Sequence, residues 1–145
     1  MAYSGRYNPK NKSKYMGDPT KITYRSLWER KCMLIFDENP NVTKWASEEL
    51  AIPYMSPVDR KKHKYYPDFI VEMKNKEGVV ETLMIEVKPK KQTEPPKKPK
   101  RQTKRFLNEA KTYLTNQAKW DAANAFCERK GWRFKILTEK EIFGK

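Results

Sequence analysis

Two short apolar runs face each other across a polar turn between residues 66 and 88. Tyr66-Pro67-Asp68-Phe69-Ile70-Val71-Glu72 precedes Asn75-Lys76-Glu77-Gly78, and Thr82-Leu83-Met84-Ile85-Glu86-Val87-Lys88 follows it. Runs rich in β-branched and aromatic residues around such a turn predict a β-hairpin. A three-residue loop of Lys76, Glu77 and Gly78, with Gly78 in the left-handed conformation, makes the numbers of opposed residues sum to 154. That register sets Phe69 against Ile85, Ile70 against Met84 and Val71 against Leu83, so apolar side chains meet apolar side chains on both faces.

The remaining chain supplies elements to pack against this hairpin. Trp28, Cys32, Ile35 and Phe36 recur at helical spacing over residues 24–38, and Asn39-Pro40 ends the pattern. Residues 42–46 and 49–54 read as short strands that extend the hairpin's sheet, and Ser56-Pro57-Val58-Asp59-Arg60 as a turn leading to Lys64 and the strand that holds Asp68. Residues 106–130 are helical in composition, with a break expected around residues 113–116. Their packing face is Ala118, Trp120, Ala122, Ala125 and Phe126, and Gly131 is the stop. Residues 132–137 form a last strand and 138–141 begin a short helix. Helix, strands, helix, strand predicts a single α/β (α+β) domain around one central mixed sheet, over residues 21–145. Residues 1–20 read as an extended, polar, turn-rich arm made basic by Arg6, Lys10, Lys12 and Lys14, which suits a phosphate backbone, a merely disordered terminus being the plain alternative.

Charge narrows the partners. Lys and Arg number 32 against 18 Asp and Glu, a formal net charge of +14. Lys88, Lys90, Lys91, Lys97, Lys98, Lys100, Arg101, Lys104 and Arg105 crowd residues 88–105, most of them in a Pro-rich loop, 89–105, and the only acid there is Glu94. Lys and Arg that neutralise phosphates release condensed counterions, so a nucleic acid, and double-stranded DNA first, is the expected partner. A solubilising linker is the bland alternative, since Pro89, Pro95, Pro96 and Pro99 forbid regular structure there. No apolar run approaches the roughly 18 residues needed to span a bilayer, and no basic amphipathic helix offers a membrane face, so a soluble protein without membrane contact is expected. Met1-Ala2-Tyr3-Ser4-Gly5-Arg6 is no signal peptide. Cys32 and Cys127 stand far apart, which predicts buried free thiols rather than a zinc site.

The chemistry concentrates on the hairpin. Its register sets Asp68 against Glu86, and Lys88, two residues further on, projects to the same side. Opposed Cβ atoms lie within about 5 Å, where two like charges destabilise the sheet unless a cation intervenes. Magnesium, with manganese as a substitute, takes one or two carboxylates together with waters and phosphates. A cation there polarises a phosphate oxygen and acidifies a water, while Lys88 orients that water or neutralises charge, which is phosphodiester hydrolysis. The plain alternative is a surface hairpin with solvated charges. Glu29 is a candidate third acid, but Ser26-Leu27-Trp28-Glu29 also spells a capping box in which Glu29 only returns a hydrogen bond to Ser26. His63, the only histidine, reads as a polar edge residue or phosphate contact and takes no assigned role; Gln117 and Lys119 sit on a helix face that either approaches phosphate or is simply solvated.

Pro67-Asp68, then Glu86-Val87-Lys88 on the next strand, with Glu29 on a preceding helix, resembles the PD-(D/E)xK nuclease core. Over nearly the whole chain, Met1-Ala2-Tyr3-Ser4-Gly5, Lys14-Tyr15, the run from Gly17-Asp18-Pro19 to Leu27-Trp28-Glu29, Ile52-Pro53-Tyr54 and Glu86-Val87-Lys88-Pro89-Lys90 are similar to the head completion nucleases of T-even-like tailed phages. The core also resembles the N-terminal domain of the endonuclease subunit of heteromeric transposition systems. These resemblances imply a restriction-endonuclease-like domain with a helix before and after the active-site hairpin. They imply that Asp68 and Glu86 bind magnesium, that Val87 offers its backbone carbonyl, that Lys88 assists the attacking water and that Glu29 completes the acidic cluster. They further imply a DNA endonuclease or exonuclease that acts late in virion assembly on packaged DNA, in the virion or the host cytoplasm, beside head, portal or neck proteins. The alternative is a non-catalytic DNA-binding head-completion protein that keeps a nuclease fold.

Overall fold

The hairpin register predicted from the turn is the observed one. In the computed structural model, which describes residues 3–144, strand β6 (Phe69–Lys74) pairs antiparallel with β7 (Val80–Val87), Phe69 opposite Ile85 and Lys74 opposite Val80. Gly78 has φ +78°, and the Asn75 side chain accepts the N–H groups of Glu77 and Val79 at 2.9 and 3.0 Å, closing the turn. Met1, Ala2 and Lys145 lie outside the described residues.

Around this hairpin the chain runs β1 (Gly5–Arg6), β2 (Thr23–Tyr24), α1 (Leu27–Glu38), β3 (Val42–Ser47), β4 (Ile52–Met55), β5 (Lys62–Tyr65), β6, β7, α2 (Lys104–Lys130), β8 (Arg133–Leu137) and α3 (Glu139–Phe143). The central sheet has the order β3-β6-β7-β8, antiparallel except for the parallel β7/β8 pair that α2 connects. This is the mixed sheet that the order of elements predicts. One face carries Phe69, Val71 and Ile85 onto Cys32, Met33 and Phe36 of α1, with Trp45 of β3 fully buried among them. The other carries Ile70 and Met84 onto Trp120, Ala123 and Cys127 of α2. Because strand side chains alternate, Asp68 and Glu86 belong with Ile70 and Met84 on the α2 side.

Four expectations need correction. The strand proposed over residues 49–54 does not extend the central sheet, because β4 pairs with β5 in a separate two-stranded sheet. The strand from Lys64 through Asp68 is interrupted: Pro67 has no N–H to give a ladder, so β5 ends at Tyr65 and β6 begins at Phe69. Helix α2 runs unbroken through residues 113–116, held by a buried stripe of Asn116, Trp120, Ala123 and Cys127. Ala122 and Phe126 flank that stripe and Ala118 is half-buried, but Ala125 is exposed. Both cysteines are buried and free, as expected.

The basic N-terminal segment is docked rather than extended. Tyr7, Tyr15 and Ile22 are buried in the α1-side core, with the Tyr7 and Tyr15 rings 6.0 and 4.8 Å from that of Trp45. Asp37, at 0 % exposure, pins the segment by accepting the Tyr7 hydroxyl at 3.1 Å and the backbone N–H groups of Lys10 and Asn11 at 2.8 and 3.0 Å. Lys14 Nζ donates to the carbonyls of Asp37 and Asn39, and Lys10 pairs with Glu38, so part of the segment's positive charge is spent on α1.

Asp37→Ala leaves three donors without their buried acceptor and is expected to destabilise the fold by about 3 kcal/mol. Asp37→Asn, which keeps an acceptor oxygen, costs less. Urea unfolding of the two variants checks the order.

Candidate active site

The β6/β7 ladder ends at the Phe69–Ile85 pair, and one step beyond it Asp68 stands opposite Glu86. Asp68 follows the buried Pro67, and its Oδ2 accepts the Val87 N–H at 2.7 Å, which locks the side chain across the strand pair. Glu86 lies within β7 at 5 % exposure, and its Oε2 accepts Trp120 Nε1–H at 3.4 Å from α2. The Glu86 carboxyl group lies close enough to Asp68 for its charge to act on it.

The electrostatics follow from that closeness. Part of Asp68 remains open to solvent, but burial of the rest, then the charge of Glu86, push its pKa well above the ordinary carboxylate value. The Val87 N–H pulls the other way and the charge of Glu29 adds a further push.

Glu29 is brought to the same neighbourhood by the start of α1 and is buried. Ser26 Oγ accepts the Glu29 N–H at 3.2 Å and donates to Glu29 Oε2 at 3.3 Å, so the capping role is real, with the Ser26 hydroxyl as the carboxylate's partner. Burial, then the charge of Glu48, raises the Glu29 pKa. Among the described residues no three His, Cys, Asp or Glu side chains gather closely enough to hold a metal ion, so Glu29 stands apart from Asp68 and Glu86 in this structure, and its charge reaches Asp68.

Glu48 is the residue that sequence reasoning missed. It follows β3 with φ +52°, a conformation uncommon outside glycine, and its N–H donates to the Asp68 carbonyl at 3.2 Å. Its carboxylate pairs with Arg25 at 3.3 Å; burial raises its pKa, Arg25 opposes that, and Glu86 adds to it. The Glu48-Glu49 pair just beyond a strand was the available signal, but only the β3/β6 register, with Ser47 opposite Phe69, puts Glu48 beside Asp68.

Lys88 leaves β7 two residues after Glu86, half-buried, its N–H donating to the Leu137 carbonyl at 3.0 Å. Two-residue spacing directs it to the side of Glu86. The basic loop then turns once at Lys90–Thr93 and returns to α2, with Lys90, Lys91, Lys97, Lys98, Lys100, Arg101, Lys104 and Arg105 all exposed. Lys91, Lys97, Lys104 and Arg105, with Tyr113 and Asn116, line a cleft of 1040 Å³ between loop and helix. Asn116 precedes Trp120 by one helical turn, about 6 Å along the axis, so the cleft opens close to the Trp120–Glu86 contact. Lys119 Nζ lies 5.9 Å from the ring centres of Tyr54 and Tyr65, and Gln117 lines a smaller depression with Trp120 and Asp121. His63 is exposed, 2.7 Å from Asp59 and stacked on Tyr54, away from the carboxylate pair's contacts.

A central mixed sheet with α1 on one face, α2 on the other and paired carboxylates at the end of a hairpin is the restriction-endonuclease-like arrangement. Residues 39–139, which include Asp68, Glu86, Val87, Lys88 and the whole basic loop, match the family described as TnsA-like endonuclease N-terminal. The chain is also 48 % identical over 143 residues to the head completion nuclease of Enterobacteria phage T4, a likeness covering 96 % of this chain and 93 % of that one. No described helix is long and apolar enough to cross a membrane. The chain belongs to the TnsA-like endonuclease N-terminal family.

Proposed function

We propose that this chain is a divalent-cation-dependent deoxyribonuclease that hydrolyses phosphodiester bonds of double-stranded DNA during phage head completion, before heads join tails. The reading is carried by two carboxyl groups held together at the end of the hairpin, Asp68 locked across the strands by the Val87 N–H at 2.7 Å and Glu86 buried under Trp120, where a cation would relieve their repulsion. Membership of an endonuclease family and the likeness to the T4 head completion nuclease support it. Head, portal or neck proteins are the expected neighbours, in the virion or the host cytoplasm.

The donor set suits magnesium or manganese. Once ionised, Asp68 and Glu86 are acceptor-only oxygens in contact, and the Val87 carbonyl is the next acceptor along the chain; hard cations complete such sets with water and phosphate, so a third acid is unnecessary. Bound there, the cation would supply Lewis-acid polarisation of a phosphate oxygen and a more acidic water. Lys88 then orients the attacking water or neutralises charge gathering on the phosphate. Glu29 and Glu48 keep the local field negative, which favours a bound cation. Lys90, Lys91, Lys97, Lys98, Lys100, Arg101, Lys104 and Arg105 neutralise the DNA backbone along the loop beside this centre.

Plasmid DNA incubated with magnesium is expected to be cut by the wild-type chain, and neither by Asp68→Ala nor in the presence of EDTA. Cutting that ignores both would contradict the reading, and absence of any metal-dependent cutting would favour a structural DNA-binding protein. Replacing Lys97, Lys98, Lys100 and Arg101 together by alanine is expected to weaken DNA binding and to lower the slope of log K against log salt by up to about 4. Cation affinity should not change, which calorimetry reads separately.

The pH dependence has a defined sign. The Asp68 pKa is raised in the fold, so its stabilising contribution is present below the unfolded value and is lost as pH rises through the folded one. The metal-free melting temperature is therefore expected to fall as pH rises above the ordinary carboxylate range, and magnesium to restore it by binding only the native state. Asp68→Asn should flatten that slope and melt higher than the wild type at the higher pH. An Asp68→Asn variant with an unchanged slope would show that the pair does not titrate this way.

A further inference from the structure

Tyr65 ends β5 and turns its ring into the α2-side core with Met84, Trp120 and Cys127. It is 4 % exposed, and its hydroxyl oxygen has no hydrogen-bond partner. Buried phenols ordinarily find one, because an unmet polar group in a dry place is costly. The groups around this hydroxyl are the carboxylates: beyond burial, the charge of Glu86 and then that of Asp68 push the Tyr65 pKa up. The hydroxyl lies beside Glu86 without forming a hydrogen bond of good geometry to it. The other donor at Glu86, Trp120 Nε1, is stretched to 3.4 Å. Glu86 therefore has one long donor and, beside it, one buried donor without a partner.

We propose that Tyr65 is a positioning residue for Glu86, whose hydroxyl supplies the hydrogen bond that fixes the Glu86 carboxylate when it ligates a cation. The inference rests on the cation-dependent nuclease reading above. A ligating carboxylate is acceptor-only and needs donors behind it to hold its orientation. Tyr65 reaches Glu86 from the β4/β5 sheet, so it ties the second sheet to the centre that the first one carries.

Tyr65→Phe removes only the hydroxyl. Calorimetric titration with Mn²⁺ is expected to give a Kd about tenfold weaker than wild type. The metal-free variant should melt no lower than wild type, since the lost hydroxyl had no partner. Cleavage at saturating DNA should show a lowered kcat at limiting Mn²⁺, recovering as Mn²⁺ is raised, with KM for DNA unchanged. A second measurement needs no substitution: in wild-type chain labelled at tyrosine Cζ, the Tyr65 resonance should move on addition of Mg²⁺. Unchanged Mn²⁺ affinity, or a Tyr65 resonance unmoved at saturating Mg²⁺, overturns the role of Tyr65 and leaves the nuclease reading standing. A wild-type chain that binds no Mn²⁺ overturns the nuclease reading, and this inference with it.

Discussion

Two acidic side chains pressed together at the edge of a protein core repel each other unless something positive lies between them. In this chain the pressing is done by β-sheet register. A glycine turn at Gly78 sets the hairpin, the hairpin sets Asp68 opposite Glu86, and the Val87 N–H holds Asp68 Oδ2 across the strands at 2.7 Å. Everything else packs so that neither carboxylate can retreat. Trp120 of α2 covers Glu86, Glu48 is tied to the Asp68 carbonyl, and Glu29 is fixed by its cap at the head of α1. On the proposed reading, the repulsion that this arrangement imposes on the metal-free fold is what a bound cation would relieve, which is the usual relation between stability and function at a catalytic centre.

The two sides of the sheet divide the labour. On the α1 side the core is aromatic and closed, with Trp45 surrounded by Tyr7, Tyr15, Phe36 and Phe69. That side anchors the N-terminal segment through Asp37 and makes the hairpin rigid. On the α2 side the packing is interrupted by polar groups, Glu86, Asn116 and the unpartnered Tyr65 hydroxyl, and there the cleft under the basic loop opens. Rigid scaffold on one face and polar, loop-lined surface on the other is how folds commonly carry a site.

The hairpin was legible because its information is local. The turn residues, the parity of side chains and the match of apolar positions all lie within about 20 residues and support one another. The acid pair and Lys88 follow from parity alone. What escaped depends on contacts distant in the chain. Nothing near residues 52–55 says that this strand will pair with residues 62–65 rather than join the central sheet. Tyr7, Tyr15 and Ile22 have no period that marks them as core; they are buried because Asp37, on α1, collects the donors of the segment. The unbroken α2 reflects its tertiary stripe from Asn116 to Cys127, which outweighs the weak local preference of residues 113–116. Glu48 is placed by the β3/β6 pairing, and Tyr65 by a second sheet.

The most direct measurement is an anomalous difference map from crystals of this protein soaked in Mn²⁺ below the concentration that coats surface carboxylates. The account predicts a peak between the side chains of Asp68 and Glu86, within ligand distance of both and near the Val87 carbonyl. A map with no peak there, or with the two carboxylates turned to opposite sides of the sheet, would contradict it.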